Sequence, residues 1–317
     1  MPSEMRKLLT AILLTVTLSA ASQTKDRSFV FMPQSTAQAQ FAGYYAALAN
    51  GYYEEEGLDV TIVHPFSSQS NIDQLLQRKV DATMLPLAQA IESVSSGAKL
   101  VNILQTSMNS AIMLISRNGT DPLSIQKGKV AVWNSGFDQL ARIVTLGNNQ
   151  EIEWVKTSNC VNLFISGAVD ATLAMSFNEY YRLLQTGLLR SDQGVFNFRE
   201  QGYNIQQDGV YMTRNAYQKN TWKAEAFARG SRKGWEWVEA HPAEALAIVM
   251  DYVKKNRIPT NKILQQLMLE EVLRLQIDPD SGKKEFRVRE DMVEKVDRLM
   301  MDAGMITREV NYKELMP

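Results

Sequence analysis

Short apolar runs alternate with helical segments along most of the chain. The apolar runs are rich in β-branched residues, as strands buried on both faces of a sheet are. They occupy residues 29–32, 58–63, 80–85, 101–105, 112–116, 130–133, 152–155, 169–175 and 210–213. Helical periodicity falls between them, for example at residues 41–50 and 71–78. This alternation predicts parallel βα units and an α/β fold.

A purely helical pattern replaces the alternation from Trp222 onwards. Apolar residues recur at helical spacing in segments that His241-Pro242, Ile258-Pro259 and a polar turn at residues 278–284 separate. The predicted helices cover residues 222–240, 243–256, 261–276 and 289–303. We expect this helical tail to pack against the first of two lobes.

Two segments of the chain are similar to each other and predict a repeated unit. Ser70-Asn71, a short helix and Val80-Asp81-Ala82 correspond to Ser158-Asn159, a short helix and Val169-Asp170-Ala171. Ser and Asn favour helix starts because their side chains accept from free backbone N–H groups. We interpret the pair as one unit used once in each lobe, with chance similarity as the alternative. Ligands bind beyond the carboxyl ends of such strands, which points to the loops at residues 85–87 and 175–179.

Composition restricts the classes of function. The chain has 317 residues, 45% hydrophobic and 22% charged, which suits two ordinary α/β lobes rather than a disordered chain. A net charge of -1 gives no preference for nucleic acid or an anionic membrane. Two histidines, His64 and His241, and one cysteine, Cys160, argue against a zinc site and exclude a disulfide within the chain. We expect neither a metal nor a cofactor.

The N-terminus has the pattern of a secretory signal peptide. Arg6 and Lys7 precede an apolar run at residues 8–18, and cleavage after Ala21 fits the small residues at 19–22. The apolar run is too short to span a bilayer comfortably. We expect a signal peptide at residues 1–22 that is cleaved near Ala21, and a mature protein that is soluble in the periplasm, with an uncleaved N-terminal anchor as the alternative.

A stretch near the start of the predicted mature chain resembles a known family. Residues 39–45 read Ala-Gln-Phe-Ala-Gly-Tyr-Tyr, and residues 51–60 read Gly-Tyr-Tyr-Glu-Glu-Glu-Gly-Leu-Asp-Val. The pattern is similar to that of periplasmic binding proteins for thiamine-pyrimidine precursors, sulfonates and nitrate. The local physics agrees, since Gly51 can end the helix in a left-handed conformation.

Further motifs of this family follow in the same order. Residues 79–82 resemble its Gly-x-x-Asp strand entry, although Lys79 stands where small residues are common. Residues 128–133 resemble the Gly-Lys-x-Val strand that opens the second lobe, and residues 207–210 the Asp-Gly return crossing. Residues 176–180, Ser-Phe-Asn-Glu-Tyr, are similar to the Tyr-Asn-Glu-Tyr signature of the thiamine-pyrimidine branch.

The resemblance implies an α/β periplasmic-binding-protein fold of type II, with a ligand cleft between two lobes. When the lobes of that fold are applied to this sequence, residues 23–115 begin lobe one, residues 116–213 form lobe two and residues 214–317 return to lobe one. Crossings near residues 116–118 and 213–215 would absorb a hinge closure around the ligand. The implied partners are a small-molecule ligand and the permease and ATPase of an ABC importer in the inner membrane. We expect a monomer that binds no nucleic acid.

Aromatic and amide side chains in the first resembling stretch are candidate ligand contacts. Phe41 and Tyr44, with Tyr45 beside them, could stack on a flat heteroaromatic ligand. Each good stack adds about 0.5–1.5 kcal/mol beyond area burial. Gln38 and Gln40 precede the helix and could reach the cleft. The alternative for the rings is packing between helix and sheet, which their helical spacing equally allows.

Helix starts are candidate anion sites. Ser68 and Ser70 precede the helix at Asn71, and Ser135 offers the same geometry in lobe two. Free N–H groups at such starts attract a carboxylate, sulfonate or phosphate, although simple capping is equally consistent with the pattern. Trp133 ends a predicted strand, where its ring could cover a ligand.

Loops after the predicted strands supply the remaining candidates. Asn178 and Glu179, with Phe177 beside them, could form hydrogen bonds with the donors and acceptors of a pyrimidine that carries an exocyclic amine. A helix N-terminus, which also favours Asn and Glu, is the alternative. Asp208 could contact the ligand or tie the return crossing. Further candidates are Pro86, in the loop after the first of the repeated strands, and Asn109, near the crossing.

These features favour a transport receptor over an enzyme. The receptor would bind a thiamine pyrimidine precursor or a similar heterocycle, with sulfonates and other organic anions as alternative ligands. A sensor that reports to a separate membrane kinase would have the same fold. The fold also includes a eukaryotic pyrimidine synthase that needs a cysteine-rich iron site, and the single Cys160 and the export signal argue against that enzyme.

Overall fold

The computed structural model describes residues 26–66, 69–134, 137–189 and 193–317. Ten strands in these ranges form two five-stranded sheets. The strands are β1 (Ser28–Met32), β2 (Asp59–Ile62), β3 (Ala82–Leu85), β4 (Leu100–Gln105), β5 (Ile112–Ser116), β6 (Lys127–Trp133), β7 (Glu151–Thr157), β8 (Ala171–Met175), β9 (Val195–Asn197) and β10 (Gly209–Thr213). All except β9 coincide with a strand that the apolar pattern predicted.

The two sheets have the same strand order. The first runs β2-β1-β3-β10-β4 and the second β7-β6-β8-β5-β9. The first three strands of each order pair in parallel, as predicted. The fourth, β10 or β5, is antiparallel to both of its neighbours, which the alternation of strands and helices did not indicate.

The repeated aspartate makes the same contacts in both sheets. Asp81 lies directly before β3, and its Oδ2 accepts from the N–H of Val30 in β1 at 2.7 Å. Asp170 lies directly before β8, and its Oδ2 accepts from the N–H of Lys129 in β6 at 2.8 Å. Each aspartate N–H also donates to the carbonyl of the same strand residue, at 2.9 Å in both sheets. The two similar segments therefore form equivalent units, as the sequence predicted.

Helices connect the strands and continue beyond them. Those among the strands are α1 (Ala42–Ala49), α2 (Tyr52–Glu55), α3 (Asn71–Leu76), α4 (Leu87–Ser95), α5 (Gln139–Gly147), α6 (Cys160–Ser166) and α7 (Glu179–Gln185). Those after β10 are α8 (Arg214–Lys219), α9 (Thr221–Ala240), α10 (Pro242–Lys255), α11 (Lys262–Leu275), α12 (Glu290–Asp302) and α13 (Tyr312–Leu315). Short 3-10 turns lie at Ala39–Phe41, Arg117–Gly119 and Pro122–Ser124, and a π-helical turn at Arg199–Tyr203.

The C-terminal helices pack on the side of the first sheet, which confirms the prediction for the helical tail. α9 and α10 contact α1, and α11 contacts the turn at Ala39–Phe41. α9 and α1 cross very closely, because a Cβ placed on Gly234 would overlap the carbonyl oxygen of Gly43. Trp235 follows in α9, and its buried ring packs edge-on against Tyr44 with centroids 5.9 Å apart. The tail thereby fixes the segment that precedes α1.

The chain changes sheets earlier than the sequence predicted. Because β5 pairs within the second sheet, the first crossing lies before residue 112 rather than at 116–118. Because β10 pairs within the first sheet, the second crossing lies before residue 209 rather than at 213–215. The apolar pattern cannot show which sheet a buried strand joins. We therefore propose that residues 106–111 and 198–208 connect the two lobes.

The helices of the described ranges differ in length and apolarity from what a membrane-spanning helix needs. None of them is long and apolar enough to cross a membrane. The predicted signal peptide, residues 1–22, lies outside the described residues, and its cleavage stays a prediction.

We expect Gly234→Ala to lower the free energy of unfolding by about 1–3 kcal/mol, because the added methyl group forces α1 and α9 apart. Gly147→Ala in α5 is the matched control, since its Cβ would meet no atom within 4 Å. Alanine is the better helix residue, so we expect the control to be neutral or slightly stabilising. Urea unfolding measures both. Equal stability of the two variants would contradict the close crossing.

Candidate functional site

The carboxyl ends of three strands enclose a cavity between the two sheets. The chain enters it after β1, at the end of β6 and at the end of β8, where ligands of such sheets bind. The cavity has a volume of about 50 Å³. Its lining residues are Gln34, Ser35, Gln38, Gln40, Trp133, Phe137, Met175, Phe177, Asn178 and Glu179.

One wall of the cavity is aromatic. Trp133 ends β6, and its ring meets Phe137 edge-on with centroids 6.0 Å apart. Phe137 has a φ of 76°, a left-handed conformation that is costly for a bulky residue and is often found at functional sites. Phe177 and Met175, which are both buried, complete the apolar surface. A flat ring system could lie against this wall.

Glu179 supplies a buried acidic group at the start of α7. Its Oε2 accepts from the N–H of Met175 at 3.0 Å, and its Oε1 accepts from Asn178 Nδ2 at 3.3 Å. Burial raises the pKa of Glu179, and the hydrogen bond from the Met175 N–H acts against that rise. Among the described residues that line the cavity, Glu179 is the one acid, and none is a lysine or an arginine.

A chain of amide hydrogen bonds runs from the second crossing to the opposite sheet. Asp208, just before β10, accepts from Gln40 Nε2 at 2.9 Å. Gln40 Oε1 accepts from Gln38 Nε2 at 2.8 Å, and Gln38 Oε1 lies 3.5 Å from Asn178 Nδ2. Burial raises the pKa of Asp208, and the amide groups that donate to it oppose the rise. The Asn178 amide thus lies between an acceptor of each sheet, Gln38 Oε1 and Glu179 Oε1.

Polar contacts join the two sheets around the cavity. Gln139 Nε2 in α5 donates to Glu92 in α4 at 2.9 Å. Ser176 Oγ after β8 donates to Glu271 in α11 at 3.0 Å. The cavity is smaller than the roughly 300–1,000 Å³ of a typical ligand pocket, so a ligand of that usual size would fit here only if the sheets moved apart. The structure therefore has the geometry of a closed cleft.

A second, larger cavity, here called the outer cavity, lies beside the first. Its volume is about 330 Å³, and Trp133 lines both cavities. It contains cationic groups of Arg142 and Lys156 together with the acids Glu92 and Asp138. Arg142 Nε donates to Asp138 at 2.6 Å, so its charge is already paired. This outer cavity is polar and of mixed charge.

The structure brings some of the candidate residues together and leaves others apart. Gln38, Gln40, Trp133, Phe177, Asn178 and Glu179 line the inner cavity, and Asp208 is one hydrogen bond away. Ser70 caps α3 by accepting from the Asp73 N–H at 3.3 Å, as in the capping alternative, and it lines the outer cavity. Ser68 and Ser135 lie outside the described residues. That any of these residues binds ligand stays a prediction.

Phe41, Tyr44, Pro86 and Asn109 lie outside the inner cavity. The rings of Phe41, in the turn before α1, and of Tyr44, in α1, are fully buried among other aromatic rings. Tyr44, for example, packs against Phe31 with centroids 4.7 Å apart. Pro86 precedes α4, and Asn109 Nδ2 donates to the carbonyl of Ile277 at 2.7 Å, which ties the first crossing to the end of α11.

Sequence reasoning missed Gln34, Ser35 and Phe137 as lining residues, and it placed Met175 in a predicted ligand loop without naming its side chain as a contact. Gln34 and Ser35 follow β1, so the rule of strand carboxyl ends could have included both. The resemblance drew attention to residues 39–45 instead, although the cavity lies against the segment just before them. Phe137 carried no local signal, because its left-handed backbone is visible only in the structure.

Comparisons with known proteins agree on a family. A family model described as "NMT1/THI5 like" matches residues 38–245. A Haemophilus influenzae protein named for thiamine biosynthesis is 24% identical over 282 residues, which cover 86% of each chain. A formylaminopyrimidine-binding protein of Halalkalibacterium halodurans is 22% identical over 245 residues, which cover 74% of each chain.

Solved structures agree on the fold. The periplasmic aliphatic sulphonate binding protein SsuA from Escherichia coli has a TM-score of 0.65 at 14% identity, over 92% of this chain and 97% of that one. A Candida albicans protein described as having the generic periplasmic binding protein fold has a TM-score of 0.67 at 14% identity, over 89% and 92%. The desulfurization enzyme DSZB has a TM-score of 0.58 at 9% identity, over 92% and 96%. The chain therefore has the predicted periplasmic-binding-protein fold.

The raised pKa of Glu179 predicts a pH dependence of stability. Because burial raises this pKa in the folded state, the folded protein holds the proton more tightly than the unfolded chain does. The free energy of unfolding should therefore fall as the pH rises through the raised pKa, by up to about 1.4 kcal/mol per unit of pKa difference. We expect Glu179→Gln to remove this part of the fall.

Thermal melts from acidic to neutral pH measure the effect. Glu236→Gln is the matched control, because Glu236 lies exposed near the C-terminal end of α9 and should keep the wild-type profile. A Glu179→Gln profile parallel to that of the wild type would contradict the burial of an ionisable group here.

Proposed function

Because the chain belongs to the NMT1/THI5-like family, we propose that it is the extracytoplasmic solute-binding receptor of an ABC importer. Its ligand is a thiamine pyrimidine precursor or a similar heterocycle that carries an exocyclic amine. It closes around this ligand as a monomer in the periplasm and delivers it to a permease and its ATPase. The observation that carries the choice of ligand is the hydrogen-bonding character of the inner cavity.

The cavity favours a ligand that donates hydrogen bonds. Asn178 Nδ2 lies 3.5 Å from Gln38 Oε1 and 3.3 Å from Glu179 Oε1, which are long distances for such bonds. An exocyclic amine has two N–H groups and could bridge the same two acceptors at shorter range. One acceptor comes from each sheet, so this bridge would also hold the closed form together.

The cavity disfavours an anion. The described lining contains the carboxyl group of Glu179 and neither lysine nor arginine, so a buried sulfonate would have no opposite charge there. Burial already raises the pKa of Glu179, and a second negative charge would raise it further. An amine or a protonated ring nitrogen reverses both effects, because it places a donor or a positive charge beside the carboxylate.

The aromatic wall fits a flat heterocycle. The rings of Trp133, Phe137 and Phe177 line the cavity, and each good stack would contribute about 0.5–1.5 kcal/mol beyond area burial. A micromolar dissociation constant corresponds to about -8 kcal/mol, which such stacks and a charge-assisted hydrogen bond can supply after ordering costs. The relative named for formylaminopyrimidine binding supports the same class of ligand.

Alternative functions use the same cleft. The sulfonate-binding neighbour favours an organic anion, for which Arg142 and Lys156 of the outer cavity would supply positive charge. The desulfurization-enzyme neighbour favours catalysis, in which case the bound compound would be consumed. A sensor for a separate membrane kinase would bind and close in the same way, and genes for a permease or for a kinase beside this one would distinguish transport from sensing.

A thermal-shift panel tests the choice of ligand. The protein is unfolded and refolded to remove carried ligand, then melted with an aminopyrimidine, a formylaminopyrimidine, taurine, an alkanesulfonate and nitrate. At 100 times its dissociation constant a ligand adds about 2.7 kcal/mol to the free energy of unfolding. We expect the melting temperature to rise by several degrees with the pyrimidines. We also expect the pyrimidines to be recovered from the protein chemically unchanged. A rise with sulfonates alone, or chemical conversion of the bound compound, would contradict the proposal.

Glu179→Gln should weaken aminopyrimidine binding by about 10- to 100-fold, because it replaces a charged acceptor by a neutral amide. Glu271→Gln is the matched control. Glu271 is also a buried acid that bridges the sheets, through Ser176, but it does not line the cavity. Isothermal titration of both variants should show near wild-type affinity for Glu271→Gln. An equal loss in both variants would mean that the carboxyl groups stabilise closure rather than contact ligand.

A further inference from the structure

Asp208 connects both crossing segments to the ligand cavity. It is buried directly before β10, in the second crossing. Its carbonyl oxygen accepts from the N–H and from Oγ1 of Thr106, in the first crossing, both at 2.9 Å. The side chain points the other way, towards two glutamines of the cavity lining. The residue is therefore held at its backbone independently of what its carboxyl group does.

The carboxyl group fixes the orientation of two amides. Its Oδ1 accepts from Gln34 Nε2 at 2.8 Å, and its Oδ2 accepts from Gln40 Nε2 at 2.9 Å. An ionised carboxylate can only accept hydrogen bonds, so each glutamine must direct its NH₂ group towards it. The carbonyl oxygens of both amides are consequently directed away from Asp208.

The same constraint passes to Gln38. Gln40 Oε1 accepts from Gln38 Nε2 at 2.8 Å, so the remaining Gln38 Oε1 faces Asn178 across the cavity. Gln34 Oε1 is buried and has no hydrogen-bond partner among the residues that the structure describes. Both atoms are acceptors, and both belong to residues that line the cavity.

We propose that Asp208 sets the hydrogen-bond polarity of the ligand site. Through Gln34 directly, and through Gln40 and Gln38 in turn, it makes the side of the cavity nearest the first sheet present acceptors. Ligands with a donor at that edge are thereby selected over ligands of the same shape with an acceptor there. Asp208 is a positioning residue that need not touch the ligand. The proposal rests on the proposed function only for the identity of the donor, an exocyclic amine.

Asp208→Asn tests this relay with little change in volume. Asparagine offers one acceptor and one donor, so one glutamine has to turn its carbonyl oxygen towards Nδ2. If Gln34 turns, its NH₂ group enters the cavity. If Gln40 turns, Gln38 must turn with it and present its own NH₂ group. In both cases an acceptor of the site becomes a donor.

The readout is the preference between two ligands of one shape. The wild type and Asp208→Asn are titrated with an aminopyrimidine and with the matching pyrimidinone, in which oxygen replaces the amine. We expect the wild type to prefer the aminopyrimidine, and the variant to lose roughly 10- to 100-fold of that preference, as expected when a donor meets a donor. If Asp208 had a purely structural role, the variant would lose affinity for both ligands by the same factor, and that result would overturn the proposal.

Thr106→Val is the matched control. It removes a hydrogen bond to the backbone of Asp208 and leaves the carboxyl group and its two amides in place. It should change affinity for both pyrimidines by the same factor and leave the preference unchanged. A shift in preference as large as that of Asp208→Asn would locate the effect in the crossings and overturn the role of the carboxyl group.

Neutron diffraction of the wild-type protein provides a second readout that needs no ligand and no variant. Deuterium should appear on the Gln34 and Gln40 nitrogens that face Asp208, and the oxygens of Gln34 and Gln38 should face the cavity. The reverse orientation would overturn the proposal. If the orientations hold while the wild type binds neither pyrimidine, the proposed ligand class fails and the relay stands. If the wild type prefers the aminopyrimidine and Asp208→Asn keeps that preference, the relay alone fails.

Discussion

A carboxyl group buried between two sheets has to receive hydrogen bonds from its surroundings, and this requirement organises the centre of the molecule. Glu179 receives them from the Met175 N–H and from Asn178, and Asp208 from Gln34 and Gln40. Without a lysine or arginine in the described lining, amides supply the donors. Each amide that donates to a carboxylate leaves a carbonyl oxygen for something else. The cavity is therefore rich in hydrogen-bond acceptors, because the carboxyl groups use the NH₂ groups of the amides and leave their carbonyl oxygens.

The fold brings these groups together because the same sheet is built twice. In both strand orders the second position, β1 or β6, and the third, β3 or β8, run in parallel, and the cavity lies at the carboxyl ends of β1, β6 and β8. Asp81 and Asp170 stabilise the same junction in each sheet. α11 contacts the turn that carries Gln40, where the Ala39 N–H donates to Gln265 Oε1 at 2.7 Å. The crossings then join the two copies so that polar side chains of one face those of the other.

The sequence predicted the strands well because short, continuous apolar runs rich in β-branched residues are typical of buried strands. It failed at β9, which has only the residues Val195–Asn197, and it misplaced the crossings, because β5 and β10 are as apolar as their parallel neighbours. Asn178 and Glu179 could be placed near the cavity from the sequence because they follow a predicted strand. For Phe41 and Tyr44 the sequence left two alternatives open, because helical spacing shows that residues share a face but not what that face packs against. The contact of Asp208 with Gln34 spans 174 positions, and no local pattern indicates it.

The crystal structure of the protein in complex with an aminopyrimidine tests the central claim most directly. We expect a closed cleft in which the ring lies against Trp133 and the exocyclic nitrogen lies within about 3 Å of both Gln38 Oε1 and the Glu179 carboxyl group. A ring bound in the outer cavity, or bound with its amine turned away from both acceptors, would contradict that claim.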